Sequence, residues 1–155
     1  MKIQDLLQKS SILIDLKSTE KDQVLRQTAK FMASLYGLDN GEQISRLILE
    51  RESDMSTGIG YGIAIPHARI TGIDRLYMVA ARSVNGIEFG AIDDQPVHLI
   101  FMLISPANTS TEHTQILSSL SSIMAYEDVR EKLFSAETVE QFLDIIKKSE
   151  EKYIE

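Results

Sequence analysis

Hydrophobic residues recur every three or four positions along the N-terminal part of the chain, which is the spacing of amphipathic helices. One helix is predicted between Ser18 and Gly37. Ser18 is the expected N-cap, and Glu20 lies in the first turn, where a carboxylate favours the positive end of a helix. Gly37 is predicted to end this helix, because the residue after a helix often needs positive φ. A second helix is predicted from Asn40, as its N-cap, to about Arg51.

The middle of the chain has the shorter period of β-strands and is interrupted by glycine and proline. Short strands are predicted at 10–18 and in the stretch that ends at Pro66-His67. A hairpin is predicted from a strand at 76–84 through Asn85-Gly86 into a short returning strand, because Asn-Gly is a common two-residue turn. Residues 97–104 (VHLIFMLI) are nearly all apolar, which is typical of a central strand that is covered on both faces.

The C-terminal third of the chain returns to helical spacing. One helix is predicted to begin at Thr109 or Ser110, with either side chain as its cap. A second helix is predicted at 128–134, and a third runs from 137 to about 148. The charged residues that follow, 151–155, are predicted to fray.

The order of these elements, helices then strands then helices, favours a single domain of the α/β class. A length of 155 residues suits one domain, and no repeat or linker divides the chain. We therefore expect a sandwich over residues 1–150, in which a mixed β-sheet is flanked by helices on both faces.

Composition and charge exclude several classes of protein. The chain has no Cys, which rules out disulfides, thiolate metal sites and cysteine nucleophiles. Lys and Arg number 16 and Asp and Glu number 23, and the net charge of −7 argues against a nucleic-acid partner bound through its phosphates. No apolar run approaches the roughly 20 residues of a membrane span. The N-terminus is too polar for a secretory signal, so a cytoplasmic location is expected.

The three histidines are the candidate residues for proton transfer or nucleophilic chemistry near neutral pH. Of these, His67 has the most unusual neighbours in the sequence. It follows GIGYGIAIP, where three glycines allow close approach, small apolar residues suit a strand, and Pro66 fixes φ. We expect His67 at the rim of the sheet, at the end of a strand, where a rigid backbone would hold a reactive side chain in place. The spacing alone leaves a second interpretation open, a turn histidine with no role.

His113 and His98 have less distinctive surroundings. His113 lies in the first turn of a predicted helix, on the face of its apolar stripe, so it is expected to be neutral and to lie beside a potential anion site. The alternative is a packed histidine that bonds to a backbone carbonyl. His98 is interpreted as a structural strand residue. No two histidines have the four-residue spacing of a helical metal site, so no metal is expected.

Arg51, at the end of the second predicted helix, has two interpretations. A basic side chain there favours the negative end of the helix, and a guanidinium is equally suited to bind phosphate. The nearby glycine stretch lacks a G-x-G-x-x-G pattern that opens a helix, and the chain has no Walker lysine. Nucleotide binding is therefore not expected, and no other cofactor is predicted.

Three segments of the chain together resemble a known family. The segment STGIGYGIAIPHARI resembles the active-site signature of type-2 EIIA domains of the bacterial phosphoenolpyruvate-dependent phosphotransferase system, both the fructose/mannitol class and its nitrogen-regulatory branch. The stretch from NGIEFG to LSSIM resembles the part of that family with a second histidine at a helix start. Arg51 lies 16 residues before His67, as the family's active-site arginine does. The resemblance covers roughly residues 3–147.

The resemblance implies a phosphocarrier with an α/β sandwich fold. The residue that matches the family's phosphoryl acceptor is His67, which would take the group from HPr or its nitrogen-branch counterpart and pass it to an EIIB partner. His113 and Arg51 would line the same site. We hypothesise that His113 donates a hydrogen bond to the phosphoryl oxygens and that Arg51 adds positive charge.

A protein partner must seal such a site and exclude water, so an apolar rim is expected around it. The candidate partner-binding residues are Gly58, Ile59, Gly60 and Tyr61.

Two functions follow from the resemblance and remain open. The first is a transport phosphocarrier that feeds a fructose- or mannitol-type EIIB and docks with its membrane permease. The second is a regulatory module whose phosphorylation state controls binding to target proteins. A third interpretation, an unphosphorylated structural or metal-binding domain, needs no phosphodonor.

Overall fold

The structure is a computed structural model that describes residues 1–109 and 111–154. The helices are α1 (Ile3–Leu6), α2 (Lys21–Tyr36), α3 (Gly41–Asp54), α4 (Thr111–Met124), α5 (Glu127–Ser135) and α6 (Val139–Tyr153). The strands are β1 (Ile12–Leu13), β2 (Gly58–Gly60), β3 (Ile63–Ala64), β4 (His67–Ile70), β5 (Tyr77–Ile87) and β6 (Val97–Pro106). A 3₁₀ turn (Lys9–Ser11) precedes β1.

Strand β6 is the centre of a six-stranded mixed sheet. It pairs with β5 antiparallel on one side and with β3 and β4 in parallel on the other. The outer strands are β1, which is parallel to β5, and β2, which is antiparallel to β3. Every residue of β6 except His98 is buried, as expected for a strand that is covered on both faces.

Helices cover both faces of this sheet, so the predicted α/β sandwich is confirmed. The apolar core on one face takes residues from α1, α4, α5 and α6. The core on the other face takes residues from α2 and α3. The odd-numbered residues at the centre of β6 face the first core and the even-numbered ones face the second, which is the alternation of an extended strand.

The ends of α2 show which cap predictions were correct. The N-cap is Glu20, not Ser18: the Glu20 carboxylate accepts hydrogen bonds from the amides of Asp22 and Gln23, and its charge also favours the helix N-terminus. Gly37 ends the helix at φ 67°, as predicted. Asn40 occupies the N-cap position of α3, although its side chain makes no capping hydrogen bond.

The predicted hairpin at Asn85-Gly86 is wrong, because β5 continues through both residues. The pairing with β6 moves from Arg82 opposite Leu99 to Ile87 opposite Val97, so the extra residues form a bulge. Gly86 has φ 87°, and its amide donates to the hydroxyl of Ser83. The chain reverses later, between 88 and 96.

Several predicted boundaries also change. The strand predicted at 10–18 is reduced to the two residues of β1, and α3 extends beyond Arg51 to Asp54. Helix α6 extends beyond 148 to Tyr153, so the residues expected to fray are helical as far as that position. Of the two predicted caps of α4, Ser110 lies outside the described residues. None of the described helices combines the length and the apolar character that a membrane crossing requires.

Candidate active site

His67 begins a strand, whereas the sequence placed it at the end of one. β3 and β4 run along the same side of β6, and the chain is interrupted between them at Ile65 and Pro66. The Pro66 carbonyl still accepts the amide of Leu103, and His67 pairs with Leu103 itself. The backbone of His67 is therefore fixed to the central strand by hydrogen bonds, and it has the rigidity that the sequence predicted.

The hydrogen bond of His67 to its own backbone determines its tautomer. Nδ1 lies 2.8 Å from the carbonyl oxygen of Ile65, and a carbonyl can only accept. Nδ1 therefore carries the proton and Nε2 has the lone pair. Burial lowers the pKa of His67, and the positive charges of Arg51 and Arg69 lower it further, against the raising effects of the Ile65 hydrogen bond and Glu52. The imidazole is therefore neutral at pH 7, with its free lone pair on Nε2.

His113 lies beside His67 although it belongs to a different element. It is in the first turn of α4 and is 4% exposed. The two ring centroids are 5.3 Å apart, in an edge-to-face arrangement. Burial is the largest cause that lowers the pKa of His113 to about 4, and Arg69 and His67 lower it too. Its Nδ1 bonds to the hydroxyl of Ser105, not to the backbone carbonyl of the alternative interpretation.

Two arginines reach the site from different elements. Arg51 comes from α3, and its Nη1 donates to the carbonyl of Met55 at 3.0 Å, so part of its guanidinium completes the end of that helix. Arg69 comes from β4, and its Nη1 donates to the carbonyl of Thr109 just before α4. Both interpretations of Arg51 are therefore compatible with its position, as a cap and as a phosphate ligand.

Arg69 was missed in the sequence. It lies two residues after His67, which in a strand is the same face. That signal was present, but the strand was taken to end at His67 instead of restarting there.

The site is an open cavity of about 490 Å³ between α3, β4 and the start of α4. It combines positive and negative side chains with the two histidines. Its lining residues are Leu47, Glu50, Arg51, Asp54, His67, Ala68, Arg69 and His113.

The expected rim residues do not line this cavity. Ile63 pairs with Leu99 and His67 pairs with Leu103, so the start of β3 is four residues, or about 13 Å, from His67 along β6. Tyr61, in the preceding turn at φ 60°, is farther still. Gly58, Ile59, Gly60 and Tyr61 therefore lie outside the cavity lining, and their contact with a partner stays a prediction.

The Tyr61 end of the sheet packs instead against α5. The guanidinium of Arg130 lies 4.2 Å from the centre of the Tyr61 ring. The amide of Tyr61 donates to the carboxylate of Asp93, in the loop that follows β5.

An ion pair with a buried carboxylate supports the backbone that carries His67. The Glu52 carboxylate is 3.0 Å from Nζ of Lys21, and it accepts hydrogen bonds from both the amide and the hydroxyl of Thr57. The Thr57 carbonyl in turn accepts the amide of Ile65, whose own carbonyl holds His67. The end of α3 is thus connected to His67 through a continuous chain of hydrogen bonds.

The third histidine lies apart from the site. Nδ1 of His98 is 2.8 Å from the carbonyl oxygen of Ser83, and its ring contacts Phe134 edge-to-face. Within residues 1–109 and 111–154, no three His, Cys, Asp or Glu side chains are grouped so that they could hold a metal ion.

Comparison with known proteins identifies the family. Residues 5–149 match the family described as the phosphoenolpyruvate-dependent sugar phosphotransferase system, EIIA 2. The chain belongs to this family. Its members are phosphotransferase components that carry phosphoryl groups between proteins, and the resemblance seen in the sequence is confirmed.

Three curated relatives differ in how much of them the chain covers. It is 36% identical over 146 residues to the fructose-specific EIIABC component of Bacillus subtilis, which is 94% of this chain and 23% of that protein. It is 42% identical over 109 residues to the fructose-specific EIIA component of Haloferax volcanii, which is 70% of this chain and 71% of the relative. It is 30% identical to the nitrogen regulatory protein of Bradyrhizobium diazoefficiens, over 94% of this chain and 95% of that one.

Two solved structures share the fold. Nitrogen regulatory protein IIA-Ntr from Neisseria meningitidis superposes with a TM-score of 0.87 at 29% identity, over 93% of this chain and 98% of that one. The Escherichia coli mannitol enzyme IIA, solved in complex with phosphorylated enzyme IIB, has a TM-score of 0.78 at 23% identity, over 92% and 97% of the two chains.

Proposed function

We propose that this chain carries the phosphoryl group on Nε2 of His67. The observation that carries the assignment is the hydrogen bond from Nδ1 to the carbonyl of Ile65, which leaves a lone pair on Nε2. In the transfer, the Nε2 lone pair forms a bond to phosphorus while the bond from phosphorus to the donor's imidazole nitrogen breaks. The electron pair stays on the donor ring.

The other cavity residues stabilise charge and position the group. Phosphoryl transfer leaves little covalent chemistry to the protein, so charge on the three equatorial oxygens is the main requirement. Arg51 and Arg69 supply positive charge from α3 and β4, and neutral His113 supplies a hydrogen bond from α4. Burial lowers the pKa of His67, the same two arginines lower it further, and the neutral imidazole is ready to accept.

The donor in this proposal is phospho-HPr or its nitrogen-branch counterpart, and the acceptor is an EIIB protein. The mannitol enzyme IIA, whose fold this chain shares, forms a complex with phosphorylated enzyme IIB. Similarity to fructose-specific EIIA proteins favours a fructose-type EIIB for sugar uptake. The proposal includes a cytoplasmic location, with docking to a membrane permease complex.

Intact mass measures the proposed modification. After incubation with phosphoenolpyruvate, enzyme I and HPr, we expect the wild-type chain to gain one phosphoryl group that acid removes. His67→Ala should gain none, because it lacks the accepting nitrogen, whereas the matched control His98→Gln should gain the group at the wild-type rate. Phosphorylation of His67→Ala at that rate would refute the assignment.

Regulation is the second candidate function, and a specific observation favours it. The match to nitrogen regulatory proteins extends over nearly the whole of both chains. Transfer of the phosphoryl group from the labelled protein to a purified fructose-type EIIB within seconds is expected for transport. Failure of that transfer, with the EIIB shown to accept from its own EIIA, would favour the regulatory function.

A further inference from the structure

Ser105 is a polar residue in the otherwise apolar second half of the central strand. It is fully buried and lies opposite Arg69 in the pairing of β6 with β4. Residues that pair directly across two strands point to the same face of a sheet. Ser105 is therefore on the face that α4 covers, between Arg69 and His113.

The hydroxyl of Ser105 bonds to Nδ1 of His113. Within the part of the chain that the structure describes, this is its one hydrogen-bonding partner. If the hydroxyl accepted from Nδ1, its own proton would be a buried donor with no acceptor. If it donates, only oxygen lone pairs stay unused, and buried acceptors tolerate this better than buried donors do. The hydroxyl is thus the donor, and Nδ1 is the acceptor.

We propose that Ser105 is a positioning residue that holds His113 as the tautomer with its proton on Nε2, so that this N–H can donate to the oxygens of the transferred phosphoryl group. This inference rests on the proposed function, because it needs the group to be carried on His67. Ser105 itself does not touch the phosphoryl group.

The two histidines then have opposite tautomers with complementary roles. The Ile65 carbonyl places the proton of His67 on Nδ1, which frees Nε2 to attack. The Ser105 hydroxyl places the proton of His113 on Nε2, which makes that nitrogen a donor. With the rings 5.3 Å apart, an attacking lone pair and a stabilising N–H are presented to one group.

The tautomer is measured without any phosphorylation. In the ¹⁵N-labelled unphosphorylated protein at pH 7, two-bond ¹H–¹⁵N correlations should show His113 with its proton on Nε2 and Nδ1 as a hydrogen-bond acceptor. His113 with its proton on Nδ1 would overturn the inference. This NMR measurement does not depend on phosphorylation. The inference about Ser105 and the proposed function of His67 can therefore be refuted separately.

The rate of phosphoryl transfer and the NMR titration of His113 then test whether Ser105 affects the proposed reaction. Ser105→Ala should accept the phosphoryl group from phospho-HPr about fivefold more slowly, the equivalent of about one hydrogen bond. The pKa of His113 should rise in this variant, because only neutral Nδ1 accepts the hydroxyl proton. Ser105→Thr, which keeps the hydroxyl, should restore both properties.

A matched control distinguishes the positioning of His113 by Ser105 from the general effect of removing a buried hydroxyl. Ser45 is also buried, in α3, but its hydroxyl has no hydrogen-bonding partner among the described residues. Ser45→Ala should therefore leave both the transfer rate and the His113 titration unchanged. If Ser105→Ala matches Ser45→Ala in both measurements, Ser105 does not position His113.

Discussion

Arg69 is a charged residue whose effect reaches both histidines of the site. Burial is the largest cause that lowers the pKa of His67 and of His113, and the positive charge of Arg69, which lines the same cavity, lowers both further. Replacement by the uncharged Arg69→Met should slow phosphoryl acceptance about 100-fold, the typical cost of one lost electrostatic contact to a transition state. The pKa of His113 should rise in the same variant.

NMR titration of His113 and the rate of mass gain check this prediction together. Arg26→Met is the control, because Arg26 is exposed on α2 and is not in the cavity. A slower rate with an unchanged His113 titration would contradict the electrostatic explanation and would leave a purely positional role for Arg69.

At the residue scale, the sequence identified side chains that have distinctive neighbours in the chain. His67 follows a glycine-rich strand and a proline, and His113 opens an amphipathic helix. Arg51 was identified through its spacing from His67. Ser105 and Glu52 were not singled out, because their partners, His113 and Lys21, are brought to them by folding. The order of residues in the sequence does not indicate which histidine tautomer a buried hydroxyl will stabilise.

At the element scale, Gly86 explains why an Asn-Gly pair did not form a hairpin. Its positive φ is used for a bulge in β5, and a Cβ atom there would lie 3.0 Å from both His98 and Pro96. Gly86→Ala should therefore lower the free energy of unfolding by about 2–3 kcal/mol, from backbone strain together with overpacking.

Gly72→Ala is the matched control for this substitution. Gly72 also has positive φ, at 95°, but a Cβ atom at this position would have no neighbour within 4 Å among the described residues, so only the strain of about 1 kcal/mol should remain. Urea unfolding of the two variants gives the comparison. Equal losses would show that the contacts with His98 and Pro96 cost nothing.

The same scale shows what periodicity can and cannot predict. The long helices and the apolar strand β6 were predicted because each has many residues with one repeating pattern. The β2–β3–β4 segment was misjudged because its strands have only two to four residues, which is too short for a period to show. Its breaks depend on pairing with β6, and that partner is more than 30 residues away in the sequence.

At the scale of the whole molecule, the site couples folding to protonation. Folding buries His113 beside Arg69 and His67, and its pKa falls from 6.5 to about 4. Below pH 6.5 the unfolded chain therefore binds more protons than the native one, so the free energy of unfolding decreases as pH falls from about 6.5 to about 4. Above pH 6.5 both states are neutral at this residue and its contribution is constant. The loss from His113 should reach at most about 3 kcal/mol.

Urea unfolding of the wild type and His113→Gln between pH 4 and 8 isolates this contribution. Carboxylates titrate in both proteins, and the pKa of His67 is also lowered by burial, so the wild type keeps some slope from those groups. The difference between the two curves should be constant above pH 6.5 and should shift in favour of the variant as the pH falls. Parallel curves over the whole range would mean that His113 is not held neutral by the fold. His113 would then become charged near the ordinary pKa of 6.5, and a charged ring, with a proton on both nitrogens, cannot accept the Ser105 hydroxyl, so this stability measurement also bears on the proposed role of Ser105.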